Sequence, residues 1–292
     1  MKDISGSIIS VFLAVFFAWA GTQQGGPVIF GLPALVVIAI ISFVIHWLIF
    51  IPSYLVKTEK FFDITGTLAY LIMLCLAGYS VNINDELSLR SKIVIILVII
   101  WSLRLGIFLL IRVFQVGEDR RFSEAKKSFF KFMMWFSLSA LWVFLTTLNA
   151  ITTILNNAQS INDFYFYIGI SIWIFGFLFE VVADNQKRLF RIEKKNDKNQ
   201  FITTGLWSIS RHPNYFGEIM IWFGMAIISI PTLYGWQFSS LISPIFVYIL
   251  LTRVSGVKML EDQADEKWNS LLSYRDYKSN TPVLLPFIKN KF

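Results

Sequence analysis

The chain has 292 residues, of which 55% are hydrophobic, 17% aromatic and only 15% charged. A soluble domain carries nearer a quarter charged residues, so this composition excludes a water-soluble enzyme, a disordered chain and a fibre. The single cysteine, Cys75, excludes a disulfide framework, an iron–sulfur cluster and a thiolate zinc site, and two histidines, His46 and His212, leave no multi-histidine metal set.

Apolar stretches of bilayer-crossing length, roughly 20 residues, follow one another along the chain. The pattern predicts an all-α integral membrane protein, a bundle of seven or eight transmembrane helices at 4–21, 28–51, 62–80, 93–112, 130–150, 163–183, 215–233 and 236–254. The first is read as a retained helix: Trp19 lies where a signal-peptide cleavage site needs small residues. The second carries His46 beside Trp47, read as a packing or interfacial pair. The third opens on Asp63, with Tyr70 two turns along the same face.

The fourth span holds Arg104 and Arg112. A charge inside hydrocarbon costs about 2.5–3.5 kcal/mol on insertion scales. Arg104 lies about 16 Å along the helix from its first residue. A buried anion explains it better than snorkelling, while Arg112 fits either reading. At the end of the sixth span Glu180, Asp184 and Arg188 share one face, Arg191 follows a turn later, and Lys187 sits beside them. Such a row can grip phosphates by its arginines and a hydroxyl or amide by its carboxylates; an ordinary solvated helix end is the alternative.

The segment 204–218, Thr-Gly-Leu-Trp-Ser-Ile-Ser-Arg-His-Pro-Asn-Tyr-Phe-Gly-Glu, gathers polar groups between two apolar spans. Pro213 disfavours helix at His212, and Asn214 is expected to cap the helix that follows. Arg211 and His212 beside a helix N-terminus suit an anion. Glu218 lies one turn in from Asn214. Past residue 255 the sequence turns polar. Lysines and arginines crowd 117–131, 184–214 and the tail, and are absent from 151–162 and 231–235. The positive-inside bias therefore puts the basic loops and both termini in the cytoplasm.

The motifs FFDITG at 61–66, WSLRLGIFLLIR at 101–112, GEDRRF at 117–122, EVVADNQK at 180–187, GLWSISRHPNYFGE at 205–218, VSGVKMLE at 254–261 and YRDYKSNTPVLLPF at 274–287 carry a resemblance. The chain resembles a family of uncharacterised membrane proteins related to steroid 5-alpha-reductases. Through it the chain is similar to the wider group of sterol C14-reductases and isoprenylcysteine carboxyl methyltransferases. The resemblance implies a single membrane domain, with 1–116 as N-terminal helices on the substrate side and 117–292 as a cofactor-binding half. It further implies an NADPH pocket at the cytoplasmic end of the C-terminal helices. Asp184, Arg188 and Arg191 would contact the cofactor's sugar and phosphates, and Arg211, Asn214, Tyr215 and Glu218 would line the same pocket. Arg253 and Tyr277 are further implied contacts, and Arg104, Lys187, Trp207, His212, Gly217 and Glu261 complete the set. No G-x-G-x-x-G follows a strand, so side chains between helices must hold any nicotinamide cofactor.

The implied reaction is hydride transfer to an activated C=C bond of a lipophilic enone, steroid-like, polyprenyl or fatty, drawn from the bilayer. The tyrosine–glutamate pair that polarises the carbonyl in steroid 5-alpha-reductases has no secure counterpart, and Trp101 stands near where the tyrosine is expected. Asp63 and Tyr70 are the substitute catalytic candidates. Two other functions stay open: an S-adenosylmethionine-dependent methyltransferase, and a non-catalytic lipid-binding protein. Partners are the lipophilic substrate and membrane lipids, with no sign of nucleic acid. The implied location is a bacterial inner membrane or the endoplasmic reticulum.

Overall fold

A computed structural model describes residues 2–83, 85–116, 122–159, 163–194, 200–254 and 256–288. Arg120, Arg121, Lys195, Lys198, Lys289 and Lys291, all used in the charge reading, lie outside the described residues. The helices are α1 (Lys2–Thr22), α2 (Ala34–Leu55), α3 (Phe62–Asn82), α4 (Leu89–Val116), α5 (Phe129–Asn156), α6 (Phe164–Glu193), α7 (Pro213–Ser229), α8 (Ile242–Ile249), α9 (Val257–Trp268) and α10 (Leu272–Asn280). Among the described residues eight segments are long and apolar enough to cross a bilayer, which makes this an all-α multi-pass membrane protein.

Two spans differ from the sequence reading. The second helix starts at Ala34 because Val28–Ile29 and Leu32–Pro33 form a two-residue antiparallel ribbon. Its turn residues Phe30 (φ 51) and Gly31 (φ 77) are both left-handed, as a tight hairpin turn requires. The eighth span is no single helix. A 3-10 stretch, Gly235–Leu241, leads into α8, and a π-turn, Leu250–Val254, ends it. Pro244 is third in α8; it lacks an N–H and is tolerated only in a first turn, so the α-helix begins just before it.

The chain divides into two compact units, residues 1–166 with 228–243, and 167–227 with 244–292. In the first, α5 is the central helix and packs against α1, α2, α3 and α4. Its N-terminal half buries Phe132 edge-to-face with Phe50 of α2 and with Phe136, which lies tilted against Phe50. Polar bonds lock α2 to α5 within the apolar surroundings. Ser42 Oγ donates to the Ala140 carbonyl (2.9 Å), His46 Nε2 meets Ser139 Oγ (3.1 Å), and Trp47 Nε1 donates to Ser137 Oγ (3.1 Å). His46 is thus a packing histidine, held at its other nitrogen by the Ser42 carbonyl.

In the second unit α6 and α7 touch backbone to backbone. A Cβ on Gly217 would come within 2.6 Å of the Glu180 nitrogen, one on Gly176 within 2.7 Å of the Gly217 oxygen, and one on Gly224 within 2.7 Å of the Gly169 oxygen. Small residues are the means by which membrane helices approach this closely. Gly217→Ala is expected to push the helices apart and destabilise the unit by about 1–3 kcal/mol, the usual cost of overpacking. Gly6→Ala is the control, because a Cβ there meets only the flexible Met134 side chain. Thermal unfolding of the two variants in detergent checks the contrast, and equal losses would refute it.

Candidate functional site

The site forms around the start of α7. Pro213 is the first helical residue, so Asn214 stands second and is not the N-cap expected of it. Proline suits the first position because its missing N–H has no helical partner there. The preceding residues are strapped to the tail. The backbone N–H groups of Arg211 and His212 donate to the Pro282 (2.9 Å) and Val283 (3.1 Å) carbonyls. Ser210 Oγ donates to the Leu284 carbonyl at 2.8 Å, and Arg211 Nη1 to the Lys278 carbonyl at 2.9 Å.

Glu261 of α9 is the hub. It accepts from His212 Nε2 at 2.8 Å and pairs with Arg211 Nη2 at 3.2 Å and Lys278 Nζ at 3.8 Å. One turn on, Asp265 receives Lys278 Nζ (2.6 Å) and the Tyr274 hydroxyl (2.9 Å). Burial holds the His212 imidazole below its ordinary value, the Glu261 bond offsets part of that shift, and Lys187 and Arg211 add to it. His212 is therefore neutral at pH 7, with its proton on the nitrogen facing Glu261. Burial likewise pushes the Tyr277 hydroxyl up, and it donates to the Trp207 carbonyl at 2.6 Å.

Trp207 ties this cluster to α6. Its Nε1 donates to the Ala183 carbonyl at 3.0 Å, and Lys187 Nζ sits 4.3 Å from its ring centroid. Gly205 (φ +62) makes the entry turn, directly against Gln186, whose Oε1 accepts the Leu206 N–H at 2.9 Å. The stretch also carries buried carboxylates: Glu180 and Asp184 on α6, and Glu218 on α7 next to the Gly217 contact.

Of the residues the sequence singled out, Arg211, His212 and Glu261 are in direct contact, with Trp207, Tyr277 and Lys187 around them. Tyr215 stacks on His212, ring centroids 5.7 Å apart. Arg188 and Arg191 lie on the exposed side of α6, Arg188 bonded to Asn185 Oδ1 at 2.8 Å, and Arg253 is exposed in the π-turn. Arg104 belongs to the first unit, where its guanidinium lies 5.5 Å from the Phe108 ring centroid. Asp63 and Tyr70 are also in the first unit, about 10 Å apart in helical rise. Asp63 is 3.7 Å from Arg112, and Tyr70 packs edge-on against Trp101 at 5.3 Å. Sequence reasoning passed over Lys278 and Asp265. Their signal was an i, i+4 rhythm, Glu261 and Asp265 on α9 matched by Tyr274 and Lys278 on α10.

Two buried nitrogens at the centre have no partner among the described residues: Arg211 Nε, a donor, and His212 Nδ1, an acceptor in the neutral ring. One unmet donor and one unmet acceptor among Lys187, Arg211 and Lys278 fit a ligand that combines hydroxyl groups with negative charge. A nucleotide sugar phosphate has that chemistry. Among the described residues no group of three or more histidine, cysteine, aspartate or glutamate side chains could hold a metal ion.

No curated protein and no solved structure matches the chain. A family model described as "Protein of unknown function (DUF1295)" matches residues 47–281. That stretch takes in the RHP segment, its glutamate hub and seven of the eight apolar spans in whole or in part, and the chain belongs to the DUF1295 family.

Proposed function

We propose that the protein is a membrane-embedded, NADPH-dependent reductase of a lipophilic enone. The observation that carries this reading is the gathering of Lys187, Arg211 and Lys278 about a buried neutral histidine, with Arg211 Nε still unanswered. The likeness of the RHPNYFGE element to the steroid-reductase group points the same way. Arginine forks and lysines match phosphate oxygens, and His212 Nδ1 suits a sugar hydroxyl. Arg188 and Arg191, on the exposed flank of α6, would meet the outer phosphates. When bound, the reduced nicotinamide supplies the hydride. The substrate carbonyl needs a donor as charge builds on its oxygen, and the buried Tyr70 hydroxyl, with Asp63 on the same helix, is the candidate. The basic ends and both termini face the cytoplasm in this reading, in a bacterial inner membrane or the endoplasmic reticulum.

The buried carboxylates Glu180, Asp184 and Glu218 favour a second reading, since a sulfonium cofactor seeks negative charge: a methyltransferase using S-adenosylmethionine. Thermal shift of the detergent-purified protein with NADPH, NADH and S-adenosylmethionine separates the two. NADPH is expected to raise Tm, with an apparent Kd about tenfold weaker in Arg188→Ala, as for one lost charged contact. Stabilisation by S-adenosylmethionine alone would establish the second reading, and silence from every ligand would leave a lipid-binding protein without catalysis.

A further inference from the structure

The first unit contains a polar seam that the reductase reading does not use. Thr146, Asn149 and Thr153 recur at helical spacing on one face of α5, each at most 1% exposed. Ser229, Thr232, Ser240 and Ser243, equally buried, come from the 228–243 segment of the same unit. Thr153 Oγ1 and Ser229 Oγ both donate to the Asn149 carbonyl (2.9 and 3.2 Å), and Thr232 Oγ1 lies 3.3 Å from Thr153 Oγ1. Ser243 Oγ donates to the Leu145 carbonyl at 2.6 Å and lies 3.4 Å from the Asn149 nitrogen.

The outer end of the seam is an amide lock. Asn156 Nδ2 donates to the Thr232 carbonyl (2.6 Å) and to Gln237 Oε1 (2.7 Å), and Gln237 Nε2 returns a bond to Asn156 Oδ1 (3.0 Å). Asn156 and Gln237 also line an open hollow of about 410 Å³, with Gln24 and Tyr234. From Asn156 to Thr146 the helix rises about 15 Å, half of a hydrocarbon layer of about 30 Å. The seam thus runs from a surface hollow to mid-bilayer depth.

Three fully buried groups along it have no partner among the described residues: Asn149 Nδ2, Thr146 Oγ1 and Ser240 Oγ. Membrane interiors punish unanswered polar groups, and a helix with no functional need for them would carry leucine or valine there. The seam groups are uncharged, which disfavours an ion. They are too deeply buried for a lipid headgroup, and they offer both donors and acceptors.

We propose that the seam takes up water at its inner end, bound at Asn149, Thr146 and Ser240 behind the amide lock. Each internal water needs two to four polar partners, and the unmet amide and hydroxyls supply them at the inner end.

Water-edited solid-state NMR of the full-length protein in lipid bilayers tests this, with magnetisation transferred from water to labelled asparagine, threonine and leucine. Transfer to the Asn149 side-chain amide and the Thr146 methyl is expected to build up several-fold faster than to Leu148, which is buried outside the seam. Thr146→Val is expected to slow the transfer to Asn149. Transfer to Asn149 no faster than to Leu148 overturns the proposal. So does transfer from lipid acyl protons in place of water, or a Thr146→Val protein with unchanged transfer and a higher Tm, the mark of a dry seam relieved of an unmet hydroxyl.

Discussion

Arg90→Met destabilises the first unit by about 3–5 kcal/mol, the cost of removing one partner from a buried ion pair, and lowers Tm by about 10 °C. Arg90 is 1% exposed in the first turn of α4, and its guanidinium binds the Asp163 carboxylate. It also lies 5.4 Å from the Phe166 ring centroid and reaches the Ile228 carbonyl at 3.4 Å. The arginine thus joins the start of α4, the start of α6 and the 228–243 segment. The lost side chain leaves Asp163 three-quarters buried with no counter-charge. Adding Asp163→Leu is expected to recover much of the loss, because a well-packed apolar pair often equals a buried ionic one. Thermal unfolding of the two single variants and the double variant checks this cycle. A double variant no more stable than Arg90→Met would show that the arginine acts through packing alone.

Arg90 marks where the sequence stopped being informative. Nothing in the sequence ties it to Asp163, more than 70 residues later. The spans were legible because a bilayer demands about 20 apolar residues and tolerates few charges, so every span has its helix or chain of short helices. The two departures lie at prolines. Pro33 and Pro244 sit inside uniformly apolar runs, so hydropathy carried the spans straight through them, while backbone chemistry started α2 late and broke the eighth span.

The site was legible by residue type and less so by pairing. Arg211, His212 and Glu261 stood out as polar groups beside apolar spans, and they meet. That Glu261 is the acceptor for both of the others depends on a fold-back of α9 that no periodicity announces. Lys278 and Asp265 looked like ordinary residues of a polar tail, although the tail straps the RHP segment in place. The seam on α5 went unread for a further reason: its polar residues carry no charge, and the sequence reading looked inside the apolar spans for charges.

Glu261→Ala is the substitution with the largest expected effect on the site. It leaves Arg211 and His212, with side chains only 11% and 6% exposed, without their common acceptor. Removing one member of such a buried pair costs about 3–5 kcal/mol, and the RHP segment loses the anchor that aims Arg211. Ligand affinity and stability of the second unit should fall together, and Glu261→Gln, which can still accept from His212, should keep part of both. The pH dependence isolates the histidine. Because burial lowers its folded-state value, His212 contributes stability that is full above its unfolded value of about 6.5 and is lost as pH falls toward the folded value. Carboxylates ordinarily titrate near 4 and His46 is buried as well, so the part of a Tm drop between pH 7 and 5.5 that disappears in a His212 variant reports His212. His212→Gln should lessen that drop at a lower overall Tm. A wild-type Tm that rises from pH 7 to 5.5 would mean that the imidazole carries its proton in the folded protein, with Glu261 as a full ionic partner.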